Sequence, residues 1–316
     1  MKTYKAAFVG TGMIGAGLAA NAALNNFDVT LYDVVDRDKM KSNLTHIMNI
    51  LVEAEAITQE EADAALADVR YTNDLEDAVR GADFVQECIP ERLQLKQDTY
   101  RMIQNVTGPD TVIASSTSAI FPSKLQDGAM YPGSIVVGHP YNPSYLLPLI
   151  EICGGEGAAP AIMAKAKEIY EAMGKVPVIC KKEINGFVVN RLSWAALASA
   201  KECIQEDICS VEDIDKAIMY GPGMRMAVTG QMLTMSLGVD GGFRKMAEKY
   251  GNEPSEYDEI YAQGVDEEIA SRPDWQGNTV DDVCKYRDQM FVQLLKLQKL
   301  LELQQSVNQK QQKSYE

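Results

Sequence analysis

Histidine is almost missing from this chain: there are two in 316 residues. That scarcity argues against zinc-type centres, which draw heavily on imidazole ligands, and no metal site is expected. Cysteine occurs six times, at Cys88, Cys153, Cys180, Cys203, Cys209 and Cys284, without a CxxC pair or regular spacing. Most of these thiols sit in apolar runs where cysteine acts as a small core residue, so a reduced, cytoplasmic setting is expected rather than a disulfide framework. No apolar run reaches about 18 residues, and the N-terminus lacks a charged segment followed by an apolar stretch and cleavage site, so no membrane association is expected. Positive charge is also short. Thirty Lys and Arg against 45 Asp and Glu leave a formal charge of −15, a field that repels nucleic acid and anionic membranes. What remains is a chain long enough for two domains, 46% hydrophobic, with no internal repeat.

The first thirty-three residues organise it. Gly10-Thr11-Gly12-Met13-Ile14-Gly15 follows a short apolar stretch, Tyr4 to Val9, and precedes a small-residue helical pattern, Ala16 to Asn26. A second strand pattern, Phe27 to Tyr32, then ends in Asp33. A strand, glycine turn, helix and strand with an acid at the tip make a dinucleotide-binding unit. Gly10 permits the tight turn, Gly12 lets backbone amides approach a pyrophosphate, and Gly15 lets the helix lie close to the strand. Met13 and Ile14 complete the loop as cofactor neighbours. Asp33 is placed to accept from both ribose hydroxyls and would repel a 2′-phosphate, so the expected cofactor is NAD rather than NADP.

Residues 36 to 55 carry apolar positions at helical spacing, and Thr58-Gln59-Glu60-Glu61 is a capping box for another helix. Strand patterns recur at Val69 to Tyr71, Phe84 to Ile89, Thr111 to Ala114, Ser134 to Gly138, Leu147 to Cys153 and Val176 to Cys180. The alternation predicts an α/β fold with a Rossmann-type, doubly wound, mostly parallel sheet. Beyond Glu183 strand patterns nearly vanish, so an all-α domain is expected to follow: residues 1–184 for NAD and 185–316 for substrate and self-association. A long helix is predicted over 185–205, a capped one from Ser210, and a leucine-rich one over 280–303 whose apolar face, with Leu294, Leu297 and Leu301, packs internally or against a second subunit. Gln304 to Glu316 reads as a frayed polar tail.

The second chemical constellation is Gly138-His139-Pro140-Tyr141-Asn142-Pro143 followed by Leu149-Ile150-Glu151. Strand, loop and strand would bring His139 and Glu151 together near the carboxyl end of the sheet, where a nicotinamide ring would lie. Oxidation of an alcohol needs a base for the hydroxyl proton, and a histidine oriented by a carboxylate supplies one near neutral pH.

With these residues the chain resembles the L-3-hydroxyacyl-CoA dehydrogenase family over residues 4 to about 300. The family's serine, histidine, glutamate and asparagine set matches Ser118 in Ser115-Ser116-Thr117-Ser118, then His139, Glu151, and Asn190 in Asn185-Gly186-Phe187-Val188-Val189-Asn190. The resemblance implies that His139 is the general base, Glu151 holds its tautomer, and Ser118 and Asn190 bind the reacting oxygen and orient substrate. It also places Glu91, Lys96, Ser118 and Asn142 beside the cofactor, and it implies a homodimer.

Between Asn43 and Val69 there is no lysine or arginine, but Glu53, Glu55, Glu60, Glu61, Asp63 and Asp68 are present. A surface of that sign should repel the phosphates of CoA. The chain is accordingly most similar to the family branch of L-gulonate 3-dehydrogenases (including lambda-crystallin) and L-carnitine dehydrogenases, which act on small free 3-hydroxy acids. In Gly221-Pro222-Gly223-Met224-Arg225 that branch places an arginine on the substrate carboxylate, a role suited to a planar guanidinium. Tyr141, Tyr145 and Trp194 are candidates for the aromatic wall that a quaternary ammonium would need. The expectation is an NAD-dependent oxidoreductase turning a free L-3-hydroxy acid into its 3-oxo acid. The alternatives are a short-chain 3-hydroxyacyl-CoA dehydrogenase and a non-catalytic, crystallin-like NAD-binding protein.

Overall fold

A computed structural model describes residues 4–300. The first half alternates strands and helices: β1 (Lys5–Val9), α1 (Met13–Leu24), β2 (Asp28–Tyr32), α2 (Arg37–Glu53), α3 (Gln59–Ala67), β3 (Arg70–Thr72), α4 (Leu75–Val79), β4 (Phe84–Glu87), α5 (Leu93–Gln104), β5 (Val112–Ser115), α6 (Pro122–Gln126), β6 (Ile135–Pro140), β7 (Leu149–Cys153), α7 (Pro160–Ala172) and β8 (Val176–Cys180). The strands form one sheet in the order β3-β2-β1-β4-β5-β6-β7-β8. Every pairing is parallel except β6 with β7, which run antiparallel. Successive strand residues face opposite sides, and both sides are covered. Ala6 and Phe8 join one core with Leu18, Leu44 and Ile169, while Ala7 and Val9 join the other with Val79, Tyr100 and Leu125. This is the expected doubly wound, mostly parallel sheet.

Local chemistry explains most boundaries. Thr58 and Glu61 form the reciprocal capping box at α3, and Asp36 caps α2 by accepting from Lys39 N at 2.7 Å. Pro160 opens α7, where its missing N–H is harmless. Strand edges shift from the sequence pattern: β3 starts at Arg70 rather than Val69, and β4 ends at Glu87, where the chain turns toward α5.

After β8 come only helices among the described residues: α8 (Phe187–Gln205), α9 (Val211–Tyr220), α10 (Pro222–Leu237), α11 (Phe243–Tyr250), α12 (Asp258–Ser271) and α13 (Val280–Leu297). Two compact units divide at Met1–Leu197 and Ala198–Glu316, so the first turns of α8 belong with the sheet. The second unit has its own core of Leu233, Phe243, Ala262, Val265, Ile269 and Val283. Helix α10 is broken at Gly230, whose φ of 65° departs from helical geometry. Leu301 and the polar segment 304–316 lie outside the described residues. No helix among those described is long and apolar enough to cross a membrane.

Candidate functional site

Helix α1 starts directly from the glycine turn. Gly12 is its N-cap, no side chain caps it, and no acid occupies its first turn, so its leading amides are open to an anion. A Cβ on Gly12 would meet nothing within 4 Å, whereas one on Gly15 would lie 1.9 Å from the Gly10 carbonyl oxygen. Gly10 has φ +96°, and a Cβ there would lie 2.7 Å from the Cys88 oxygen. The turn is therefore closed against β4 and the start of α1 but open where a pyrophosphate would approach. Asp33, just past β2, accepts from Thr11 N at 2.6 Å and Thr11 Oγ1 at 2.8 Å through Oδ2, and from Val34 N at 2.7 Å through Oδ1. Its carboxylate is thus held beside the turn. Asn73 steadies the same tip by donating to the Asp33 and Val35 carbonyls, and Asn43 donates to the Thr11 carbonyl at 2.8 Å. Neither asparagine stands out in sequence, because each acts across more than thirty residues.

The antiparallel register of β6 and β7 sets His139 opposite Glu151. Both side chains are buried, and His139 Nδ1 lies 2.9 Å from Glu151 Oε2. The other carboxylate oxygen accepts from Val188 N at 2.8 Å and Val189 N at 3.0 Å, in the first turn of α8. With Nδ1 donating to the carboxylate, the second ring nitrogen of a neutral imidazole is left as an acceptor. The loop 141–148 that joins the pair is anchored beneath. Lys175, buried, donates to the Ser144 carbonyl and to the Leu147 carbonyl at 3.2 Å, and burial pulls its ammonium down to about 8. Asn21 on α1 donates to the Tyr145 carbonyl at 3.1 Å, so this loop rests on the cofactor helix.

Ser118 lies exposed on the loop after β5, and the group that shapes this loop is Glu91. Its Oε1 accepts from the Thr117 hydroxyl and from the Ser118 and Ala119 amides, each at 3.3 Å for the latter two. Lys96 stands under it, 3.4 Å from Glu91 Oε2, but is itself only 1% exposed. Its Nζ donates to Glu87 Oε1 at 2.7 Å and to the Ile89 carbonyl at 3.2 Å. Glu87 is wholly buried and also accepts from Tyr100 OH at 2.5 Å, Ser115 Oγ at 2.7 Å and Ile89 N at 2.8 Å. Burial, then the Glu87 charge, push the Tyr100 phenol well above its ordinary value. Glu87 escapes sequence reasoning because an acid inside a strand pattern carries no sign of the lysine that will cover it.

Asn190 is half-buried, three residues along α8 from Phe187, whose ring centroid lies 5.3 Å from that of His139. One helical turn therefore separates it from the residue that packs on the imidazole. Asn142 is exposed in the loop after β6, and Tyr141 OH sits 3.2 Å from Ser193 Oγ of α8. Arg225 belongs to the second unit. It is exposed in the first turn of α10 and lines a pocket of about 130 Å³ with Thr229, Thr234, Arg287 and Phe291. Among the described residues it has no carboxylate partner, and none of their side chains gather into a group of three or more metal-type ligands.

Comparison with known proteins adds three findings. A family model described as 3-hydroxyacyl-CoA dehydrogenase, NAD binding domain, matches residues 5–184, and its C-terminal domain counterpart matches residues 186–286. An L-carnitine dehydrogenase from Oceanobacillus iheyensis is 38% identical over 248 residues, 78% of this chain and 80% of that protein. One from Streptomyces coelicolor is 36% identical over 304 residues, 92% and 94% of the two chains. The solved structure of a 5-formyl-3-hydroxy-2-methylpyridine 4-carboxylic acid 5-dehydrogenase, described as an NAD+-dependent dismutase, superposes with a TM-score of 0.69. It is 30% identical and covers 96% of this chain and 99% of its own.

Proposed function

Because this chain belongs to the 3-hydroxyacyl-CoA dehydrogenase family, it is an NAD-dependent oxidoreductase of CH–OH groups, and we propose that its substrate is a small free L-3-hydroxy acid of the carnitine type. The observation that carries the chemistry is the buried His139–Glu151 pair. His139 takes the 3-hydroxyl proton at Nε2 while Glu151 stabilises the imidazolium that forms. NAD, when held at the glycine turn, would supply the hydride acceptor for the substrate's C3. Ser118 and Asn190 hydrogen-bond the reacting oxygen, and the Glu91 carboxylate keeps the Ser118 loop in place. Gly10, Gly12, Met13, Ile14, Gly15 and Asp33 hold the adenosine and pyrophosphate side, with Glu91, Ser118 and Asn142 toward the nicotinamide, while the buried Lys96, expected beside the cofactor, instead supports Glu91 from beneath through its pairs with Glu87 and Glu91. Residues 1–184 serve the cofactor; residues 185–316 serve substrate selection and self-association.

Arg225 receives the substrate carboxylate with two parallel hydrogen bonds. Its lack of a carboxylate partner among the described residues supports this role, as does the run from 43 to 69 without Lys or Arg, which disfavours CoA. The L-carnitine dehydrogenases among the relatives favour a quaternary ammonium at the other end of the substrate, with Tyr141, Tyr145 and Trp194 as its aromatic neighbours. The enzyme works as a cytoplasmic homodimer; exposed Leu192, Leu197 and Ile204 on α8 support a self-association face.

The test is NADH formation, followed by absorbance, with L-carnitine, L-gulonate, L-3-hydroxybutyrate and L-3-hydroxybutyryl-CoA. Turnover of a free acid, reduced about 10²–10⁴-fold in His139→Gln, is the expected result. Turnover confined to the thioester would refute the free-acid assignment.

A further inference from the structure

A buried carboxylate needs something to hold its charge, and basic side chains are the usual means. Glu151 is 1% exposed, yet among the described residues no lysine or arginine pairs with it. Its Oε2 faces His139, and its Oε1 is held by the amides of Val188 and Val189. These are among the leading N–H groups of α8, which have no partner inside the helix and carry its positive dipole end.

The chain reaches this position through two consecutive left-handed residues, Gly186 at φ +75° and Phe187 at φ +50°. Glycine adopts that conformation freely, but a bulky side chain does so rarely and only where its surroundings hold it there. Phe187 is held on both sides. Its ring is 1% exposed, joins the core that contains Cys153 and Cys180, and lies at 33° to the His139 ring. Gly186 has no room for a side chain, since a Cβ would fall 2.3 Å from the Trp194 ring. One turn thus covers the imidazole with a ring and aims two amides at its carboxylate partner.

We propose that Phe187 is a positioning residue of the His139–Glu151 dyad: its ring closes one face of His139 to water, and its left-handed turn directs the α8 amides that hold Glu151. The proposal rests on that dyad being the catalytic pair. With Oε1 fixed by two donors, Oε2 stays an acceptor for Nδ1–H and the imidazole keeps the tautomer that presents a bare Nε2. If the turn relaxes, the carboxylate is free to rotate and the ring loses that constraint, while the glycine turn that binds NAD is untouched.

The experiment compares full-length wild type, Phe187→Leu and Glu151→Gln by steady-state kinetics across pH, by NADH binding, and by amide spectra of Val188 and Val189. Phe187→Leu keeps an apolar side chain and loses the ring. The expected result is a kcat lower by about 10–100-fold, as for a misaligned reacting group, with the KM for NAD within about twofold. The pH profile of kcat/KM should also be displaced, and the two amide resonances should move toward their positions in Glu151→Gln. A kcat within about twofold of wild type would overturn the proposal, as would a lower kcat with an unmoved pH profile, the mark of a merely structural role. Should Phe187→Leu not fold, the spectrum of Glu151→Gln decides, because amides unmoved from wild type overturn the proposal while leaving the dyad intact. Full activity in His139→Gln would overturn it through the dyad itself.

Discussion

Replacing Lys96 by methionine should unfold this protein about 10 °C earlier. The ammonium and the Glu87 carboxylate meet at 2.7 Å with side chains 1% and 0% exposed, so the pair is sealed from water. Methionine fills much of the same volume but leaves Glu87 with three uncharged donors: Tyr100, Ser115 and the Ile89 amide. Removing one partner of a buried pair costs about 3–5 kcal/mol, chiefly because the remaining charge stays desolvated. The compact unit that contains the pair spans Met1–Leu197. At about 2.1 cal/mol/K per residue its unfolding entropy is about 0.4 kcal/mol/K, and a loss of about 4 kcal/mol then lowers Tm by about 10 °C. Thermal unfolding of the full chain by circular dichroism measures it. The double change Lys96→Met with Glu87→Leu removes the stranded charge and should recover at least half of the loss, since an apolar pair often matches a buried ion pair in stability. A Tm drop under about 3 °C in the single variant, or a double variant no better than it, would refute the assignment of a buried charge pair.

Three further outcomes follow from the site. Asp33→Ser should raise the KM for NAD and narrow the preference over NADP by about tenfold or more, because the carboxylate that accepts from the ribose also repels a 2′-phosphate; unchanged discrimination in kinetics with both cofactors would count against that role. Arg225→Met should raise the KM for a free hydroxy acid by about 10–100-fold with the KM for NAD unaffected, the loss expected for hydrogen bonds to a charged group. Lys175 gives a pH signature: burial lowers its ammonium to about 8 from 10.5, so between those values the unfolded chain holds a proton that the folded chain has released, and stability rises with pH. The Tm of wild type relative to Lys175→Met should therefore climb from pH 8 to 10, and a flat difference would show that Lys175 is not buried as a cation.

Much of the site was legible in the chain because its parts are local. The turn from Gly10 to Gly15 and Asp33 lie within a few dozen residues, and the conformations they need are written in residue type: glycine where a Cβ would strike Gly10 or Cys88, an acid at a strand tip. His139 and Glu151 were legible as a pair because a short loop between two strand patterns leaves them facing each other. The resemblance placed Lys96 beside the cofactor, but its side chain is buried against Glu87. Its burial depends on Glu87, nine residues earlier and underneath.

Periodicity, capping residues and turn glycines act over a few residues, so the amino-acid sequence by itself determined the doubly wound sheet, the glycine turn and the change to helices after Glu183. Buried polar partners are another matter, because each needs a donor brought from far along the chain. Only the tertiary structure decided that Tyr170 donates to Gln86, that Lys175 holds the loop beside His139, and that α8 begins with a left-handed Phe187 whose following amides grip Glu151. Residues 84 and 37 apart in sequence are joined there by single hydrogen bonds, and no local preference encodes which of the available donors a buried oxygen will meet.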